Sequence, residues 1–231
     1  MASYLCVLAM TVVSAGTASA NPDELPVQVS ALPDLMLNAQ EVSSVMGANL
    51  YVSGDGEALA TMGVDRPDCG SVIVASAESY DRSNYLAGRY REFLDAPGWL
   101  KMADQSMTIF PEWADATDFA LGEADRWRAC ENQRVTMLLP QPDGSTRREW
   151  VQLRKIVQVQ EVLVVGYTWP TDFGGVIYCQ HALAPLRNVA IDVRACAERD
   201  GSRALDLILG CCPAWPGHSR YGRRCHQTGL G

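Results

Sequence analysis

Four cysteines in the middle of the chain, Cys69, Cys130, Cys179 and Cys196, are the side chains best placed for chemistry. None of them has the Cys-x-x-Cys spacing of a zinc ribbon or a thioredoxin-type site. In an oxidising compartment such cysteines are usually paired. We expect the pairs Cys69–Cys130 and Cys179–Cys196, while the other connectivities stay open.

A second group of metal-ligating side chains lies near the end of the chain. Thiolate and imidazole suit zinc, but two adjacent cysteines rarely ligate one ion well, and the spacing matches no zinc-finger pattern. We therefore predict no metal site and no cofactor. The group consists of Cys211, Cys212, His218, Cys225 and His226.

His181 is the one histidine in the body of the chain, and any Ser-His-Asp or Cys-His hydrolase would have to use it as the base. The sequence has no Gly-x-Ser-x-Gly nucleophile elbow. We predict no catalytic residues, and an exported envelope hydrolase using His181 is the alternative. Asp192 lies in an apolar segment, and it is interpreted as a hydrogen-bonded structural carboxylate or as a cleft group, because buried charges need partners.

Aromatic residues could line an apolar cleft that carries a few polar groups. Most such residues are nevertheless core or cross-strand pairs. We predict that Trp127 belongs to the core, because it lies on the apolar face of a predicted helix. The other candidates are Tyr80, Tyr85, Tyr90, Trp99, Trp113, Trp150 and Trp169.

Residues 1–20 have the pattern of an export signal. An apolar stretch, residues 4–13, precedes the small-residue cleavage site Ala18-Ser-Ala20. The stretch is shorter than the ~20 residues that span a bilayer. Because the basic start of a signal is missing, a remnant of a membrane anchor remains the alternative. Export predicts a secreted or cell-envelope protein.

Charge and composition exclude several classes of protein. The 231-residue chain has 27 acidic and 19 basic residues and a net charge of -8, which argues against nucleic-acid binding, since such proteins carry a basic face. No apolar run in the body of the chain suits a polytopic membrane protein. With 48% hydrophobic and 20% charged residues, the composition is typical of one globular domain.

Periodicity predicts helices over residues 35–46, capped by Asp34, and over 112–127 and 204–209. Residues 53–70 are rich in glycine, aspartate and proline and are predicted to be a loop. Apolar segments bounded by turn residues predict strands. The predicted strands are 71–75, 85–92, 106–110, 135–139, 150–153, 157–167, 176–183 and 188–194, with Pro185 in the last turn. This order indicates an α+β fold rather than βαβ units.

Several segments, in this order, resemble one known family. They are Pro67-Asp-Cys69, Ile109-Phe-Pro111 leading to Trp127-Arg-Ala-Cys130, Tyr178-Cys-Gln-His-Ala-Leu183 and Arg187-Asn-Val-Ala-Ile-Asp-Val-Arg-Ala-Cys196. Together they resemble the PknH C-terminal-like extracellular domain, the sensor domain of a mycobacterial serine/threonine kinase. That domain also occurs alone on secreted proteins and lipoproteins.

The resemblance implies an α+β sensor-like domain over residues 26–209, with a twisted antiparallel sheet, packed helices, two disulfides and a ligand cleft. It implies binding of an unidentified extracellular small molecule or envelope component at the actinobacterial cell envelope, without catalysis. Kinase motifs are absent from the sequence. A structural or partner-binding secreted protein is a further alternative, and membrane association and oligomeric state stay open. Residues 210–231 change abruptly in composition, which suggests a frameshifted or disordered tail.

Overall fold

The computed structural model describes residues 25–57, 59, 61–75, 77–96, 100–171, 174–199 and 201–211, the last three without their side chains. The predicted export signal, Trp99 and the tail beyond Cys211 lie outside the described residues. Of the candidate zinc ligands, Cys211 is described without its side chain, and Cys212, His218, Cys225 and His226 lie outside the described residues.

In the part of the chain that the structure describes, nine strands form one sheet. They are β1 (Leu50–Gly56), β2 (Gly63–Val64), β3 (Ala87–Asp95), β4 (Lys101–Ile109), β5 (Arg134–Pro140), β6 (Thr146–Val159), β7 (Val162–Pro170), β8 (Val176–Leu186) and β9 (Val189–Ala197). Their order across the sheet is β1-β3-β4-β9-β8-β7-β6-β5-β2. Every neighbouring pair is antiparallel, and the sheet is curled into a half-barrel. The predicted α+β class and antiparallel sheet are confirmed.

Among the described residues, five α-helices accompany the sheet. They are α1 (Leu32–Leu35), α2 (Ala39–Met46), α3 (Ala77–Tyr80), α4 (Trp113–Ala129) and α5 (Ala204–Cys211), together with 3-10 helices at Val29–Ala31 and Pro67–Val72. The two helices predicted over 112–127 and 204–209 correspond to α4 and α5. The longest, α4, begins after Glu112 in a reciprocal capping box with Asp115, which satisfies two backbone N–H groups.

The core lies on both faces of the sheet. On one side, the α4 face, the strands pack against α4 and the 3-10 helix Pro67–Val72. On the other, the α5 face, they pack against α1, α2 and α5. Because successive side chains of a strand point to opposite faces, β9 supplies buried residues to both clusters, which explains its almost unbroken apolar sequence.

The strand predicted over residues 71–75 is wrong. The segment belongs to the 3-10 helix Pro67–Val72 and the turn after it, with Ile73 N–H donating to the Gly70 carbonyl. Val72, Ile73 and Val74 are nearly fully buried. A short apolar run signals burial without deciding between strand and helix, and Pro67 at the helix start favours the latter.

Two other boundaries differ from the prediction. The helix predicted over 35–46 is two helices, because the Asn38 side chain accepts from the N–H groups of Gln40 and Glu41 and starts α2 afresh. Asp34 therefore lies inside α1 instead of capping a helix. The loop predicted over 53–70 contains the end of β1 and all of β2.

Tight turns account for two further differences. Gln160 and Arg187 have φ values of 57° and 56° and begin two-residue turns that glycine or asparagine would normally signal. The strand predicted over 157–167 is therefore split between β6 and β7. Pro185 lies within β8 and not in the turn, at a position that pairs with β9 beyond the end of the β7 pairing, where its missing N–H is tolerated.

Candidate functional site

Four charged side chains lie together on the α4 face of three adjacent strands, β4, β9 and β8. Asp104 on β4 and His181 on β8 are each directly opposite Arg194 on β9. Asp192 lies two residues before Arg194, on the same face of β9. All four are at most 5% exposed. They are termed the buried charge cluster below.

His181 is held between the sheet and the 3-10 helix. Its Nδ1 lies 3.0 Å from the Val72 carbonyl, and its Nε2 contacts Asp192 Oδ1. Both partners accept hydrogen bonds, so both ring nitrogens must carry protons and His181 is an imidazolium. Burial by itself lowers the pKa of His181, but the charge and hydrogen bond of Asp192, with the Val72 carbonyl, raise it on balance.

Asp104 and Arg194 form the second ion pair of the cluster. Arg194 Nη2 lies 2.5 Å and Nε 2.6 Å from Asp104 Oδ2. Burial raises the pKa of Asp104, although Arg194 works in the opposite direction. With an imidazolium at His181, the cluster holds two positive and two negative groups. Each buried charge therefore has a partner of opposite sign, and no uncompensated charge is left in the interior.

Two tyrosines connect the cluster to the segment that covers it. Tyr80, from α3, donates to Asp192 Oδ2 over 3.2 Å, and Tyr167, from β7, donates to the Ile73 carbonyl over 3.0 Å. Burial raises the pKa of Tyr80 well above its ordinary value and that of Tyr167 to about 12. Both phenols therefore remain donors across the physiological pH range.

The cover of the buried charge cluster, which consists of α4 and the 3-10 helix Pro67–Val72, is fixed by packing and by disulfide bonds. Trp127 of α4 packs over the His181 ring with a centroid distance of 4.7 Å. The structure joins Cys69 to Cys130, with Cα atoms 5.8 Å apart, and thereby ties the 3-10 helix to the end of α4. Cys179 is joined to Cys196 across the β8–β9 pair. These are the two pairs that the sequence favoured.

The geometry gives His181 no role as a general base. A base needs a nitrogen lone pair within reach of a substrate proton, whereas both nitrogens of His181 are engaged and the residue is fully buried. Of the two interpretations of Asp192, the structure supports the hydrogen-bonded structural carboxylate. The described residues contain no cluster of three or more histidine, cysteine or carboxylate groups suited to a metal ion.

The aromatic candidates that the structure describes do not form one cluster, although Tyr80 and Tyr85 make an edge contact with ring centroids 6.2 Å apart. Trp127 is fully buried, as predicted, and Tyr80 stacks on Phe119 at 4.4 Å. Trp113 and Trp150 are exposed on different parts of the surface. Sequence reasoning missed Asp104 and Arg194, although two opposite charges at positions 192 and 194 of an apolar strand were a usable signal, since they must share a face.

A polar groove opens next to Tyr80. It lies between residues 79–84 and α4, has a volume of about 240 Å³, and is lined by Arg82, Ser83, Asn84, Asp118 and Arg126 among others. A second, more apolar depression of about 100 Å³ lies between α4 and the β6–β7 turn and includes Trp113.

None of the helices in the described part of the chain has the length and apolarity needed to cross a bilayer.

Comparison with known proteins gives a consistent result. Residues 27–209 match the family model of the PknH-like extracellular domain. The chain is 26% identical over 188 residues to the serine/threonine-protein kinases PknH of Mycobacterium tuberculosis and Mycobacterium bovis. The aligned part covers 78% of this chain but only 28% and 30% of those kinases.

A solved structure shares the fold. The crystal structure of the extracellular domain of PknH from Mycobacterium tuberculosis superposes with a TM-score of 0.73 at 22% identity, covering 81% of this chain and 95% of that one. The matched region contains no kinase domain, and an extracellular family implies a location outside the cytoplasm. The chain therefore belongs to the family of PknH-like extracellular domains.

Proposed function

We propose that this protein is an exported, non-catalytic sensor-like domain that binds a polar ligand in the groove between residues 79–84 and α4. One observation carries the proposal: the groove wall is directly anchored, through Tyr80, to the buried charge cluster. A concave site with a few convergent polar groups is the usual form of a small-molecule site. A domain of a sensor family needs such a site and a way to transmit its occupancy.

The groove offers hydrogen-bonding groups of both kinds. Arg82 and Asn84 are exposed at its rim, and Asp118 faces them from α4. Arg126 also lines it but is paired with the buried Glu123. Mixed donors and carboxylates suit a hydroxylated or zwitterionic molecule better than an apolar one. The ligand that we propose is a polar small molecule or envelope component.

Tyr80 would transmit the binding of a ligand in the groove to the buried core. The Ser83 hydroxyl donates to the Tyr80 carbonyl over 2.7 Å, and the Tyr80 ring stacks on Phe119, which also lines the groove. Its hydroxyl reaches Asp192. A ligand that orders residues 79–84 would therefore favour one arrangement of Tyr80 and, with it, of the cluster.

The wider setting is also part of the proposal. Residues 1–20 would direct export, residues 26–209 would form the sensor-like domain, and 210–231 would be a tail unrelated to it. The protein would act alone, secreted or held at the actinobacterial envelope.

The test compares two exposed arginines. Wild type, Arg82→Ala and Arg128→Ala proteins are immobilised and exposed to the polar small-molecule fraction of an actinobacterial envelope extract, and retained compounds are identified by mass spectrometry. Arg82 lines the groove, whereas Arg128 on α4 pairs with Asp125 outside it. We expect a compound retained by wild type and by Arg128→Ala but lost from Arg82→Ala.

Equal retention by all three proteins would place binding elsewhere. Chemical conversion of the retained compound by the wild-type protein would contradict a non-catalytic role.

A further inference from the structure

The β5–β6 hairpin is a basic region on an acidic protein. Residues 134–155 contain five of the 19 basic residues but only two of the 27 acidic ones. Four of these five basic residues lie close to a tryptophan. They are on the exposed face of the hairpin or at the β-bulge at the end of the β5–β6 pairing. These five residues, termed the basic strip, are Arg134, Arg148, Trp150, Arg154 and Lys155.

The strand register aligns the strip. Arg148 and Trp150 alternate along β6 and face the same way as Leu138 and Thr136, their partners on β5. The register shifts between Leu153 and Ile156, at an irregularity that leaves Arg154 and Lys155 exposed. At about 3.3 Å per residue, the distance from Arg148 to Arg154 is about 20 Å.

The aromatic centre of the strip is held in place. The guanidinium carbon of Arg134 lies 4.1 Å from the centroid of the Trp150 ring, a cation–π arrangement. Trp150 is 37% exposed, so part of its ring remains accessible beside the stacked arginine. A pre-ordered aromatic flanked by guanidinium groups loses little side-chain entropy on binding.

Nearby carboxylates are committed to other contacts. Glu149 points to the opposite face, where it pairs with Arg147 and accepts from Trp169 Nε1. Asp65 accepts from the Thr136 N–H, and Glu131 accepts from the Ile156 N–H. Hydrogen bonds from Thr136 lower the pKa of Asp65, which also lies close enough to Arg148 for that charge to contribute to the lowering. The four cations of the strip nevertheless outnumber Asp65 and Glu131, so the strip keeps a net positive charge.

We propose that the basic strip binds a linear anionic polysaccharide, with carboxylate, phosphate or sulfate groups at the guanidinium groups and a sugar ring against Trp150. Arginine recognises such anions through paired N–H donors. Net acidity elsewhere repels a polyanion and so restricts its contact to the strip.

A bilayer surface fits the strip less well. Trp150 is partly covered by Arg134, and the exposed apolar neighbours further along β6 are the short side chains of Val157 and Val159. Interfacial membrane binding needs a larger apolar face. A strip about 20 Å long, from strand spacing, matches an extended chain better.

The experiment measures binding to four probes: heparin, polygalacturonate, neutral dextran, and vesicles of phosphatidylcholine with phosphatidylglycerol. The full-length protein is compared with Trp150→Ala and with Arg148→Ser/Arg154→Ser. The control is Arg128→Ser/Arg199→Ser, which removes equal charge from exposed positions outside the strip. Circular dichroism and melting temperature check that each variant is folded.

We expect heparin and polygalacturonate to bind at low salt, and dextran not to bind. The Arg148→Ser/Arg154→Ser protein should bind about tenfold more weakly, and its log–log salt slope should fall by roughly one per arginine, because counterion release scales with the contacts made. Trp150→Ala should weaken binding at every salt concentration, and the control should bind as wild type does.

Three results would overturn the proposal. Equal losses in the control would show a general charge effect, binding to dextran would exclude anion recognition, and binding to vesicles alone would indicate a membrane surface. Because the strip lies on the sheet face opposite the groove at residues 79–84, none of these outcomes depends on the proposed sensor ligand.

Discussion

His181 illustrates how one side chain can be both buried and charged. Its two N–H groups donate to acceptors from different parts of the chain, the Val72 carbonyl and the Asp192 carboxylate. Loss of its proton would leave one acceptor without a donor, which is costly in the interior. The protonated state is therefore a requirement of the fold around it.

The stability of the domain should depend on the proton of His181. Because its pKa in the folded state is raised, protonation stabilises the fold fully below the unfolded-state pKa of about 6.5, and this contribution is lost as pH rises through the folded-state value. Urea unfolding of wild type and His181→Gln, from about pH 5 to about pH 9, should show the stability difference shrinking with rising pH.

The two proteins differ only at position 181, so the contributions of all other ionisable groups cancel in that difference to a first approximation. A difference that stays constant or grows with pH would contradict the imidazolium assignment.

Among the secondary-structure elements, those with a regular apolar pattern could be predicted from the sequence. The strands of the β8–β9 pair and the helices α4 and α5 were predicted from their apolar patterns and are confirmed, although the turn between β8 and β9 begins at Arg187 and not at Pro185. The 3-10 helix Pro67–Val72 could not be predicted this way, because its apolar residues are all buried and show no period. Its position is set by tertiary contacts to His181 and Cys130.

The candidate site was predictable only in part for the same reason. His181 and Asp192 were recognised as residues needing an explanation, but their contact depends on the register of β8 against β9. Asp104 comes from a strand whose first half was not predicted. Tyr80 belongs to a one-turn helix whose place is decided by what it packs against.

The two disulfide bonds should stabilise different elements. Removing Cys69–Cys130, with a sequence separation of 61, should cost more unfolding free energy than removing Cys179–Cys196, with a separation of 17. Loop entropy gives about 4 against about 3 kcal/mol. Hydrogen exchange should accelerate in residues 69–74 for Cys69→Ala/Cys130→Ala, because that bond holds the 3-10 helix.

The matched control is Cys179→Ala/Cys196→Ala, in which residues 69–74 should keep their protection. Equally faster hydrogen exchange of residues 69–74 in both variants would show that the Cys69–Cys130 bond does not hold the 3-10 helix independently of the sheet.

On the scale of the whole molecule, the charges are divided between interior and surface. The buried charge cluster is balanced, whereas the chain as a whole has a net charge of -8. Surface charges repel one another through water and are screened by salt, while buried pairs are screened much less. The excess acidity therefore destabilises the domain in a way that ionic strength can relieve.

Sodium chloride should consequently raise the melting temperature. The variant Asp81→Asn/Glu198→Gln, which removes two exposed carboxylates, should melt higher than wild type at low salt and gain less from added salt. Melting curves followed by circular dichroism measure both effects. A fall in melting temperature with salt would show that surface attraction outweighs repulsion.

The packing of Trp127 over the His181 ring has an optical consequence. A protonated imidazole in contact with an indole quenches its fluorescence more strongly than a neutral one. Trp127 thus lies where its emission responds to the charge of His181. The difference between the fluorescence spectra of wild type and Trp127→Phe, followed against pH, would therefore show whether the buried His181 is protonated, without a label or a ligand.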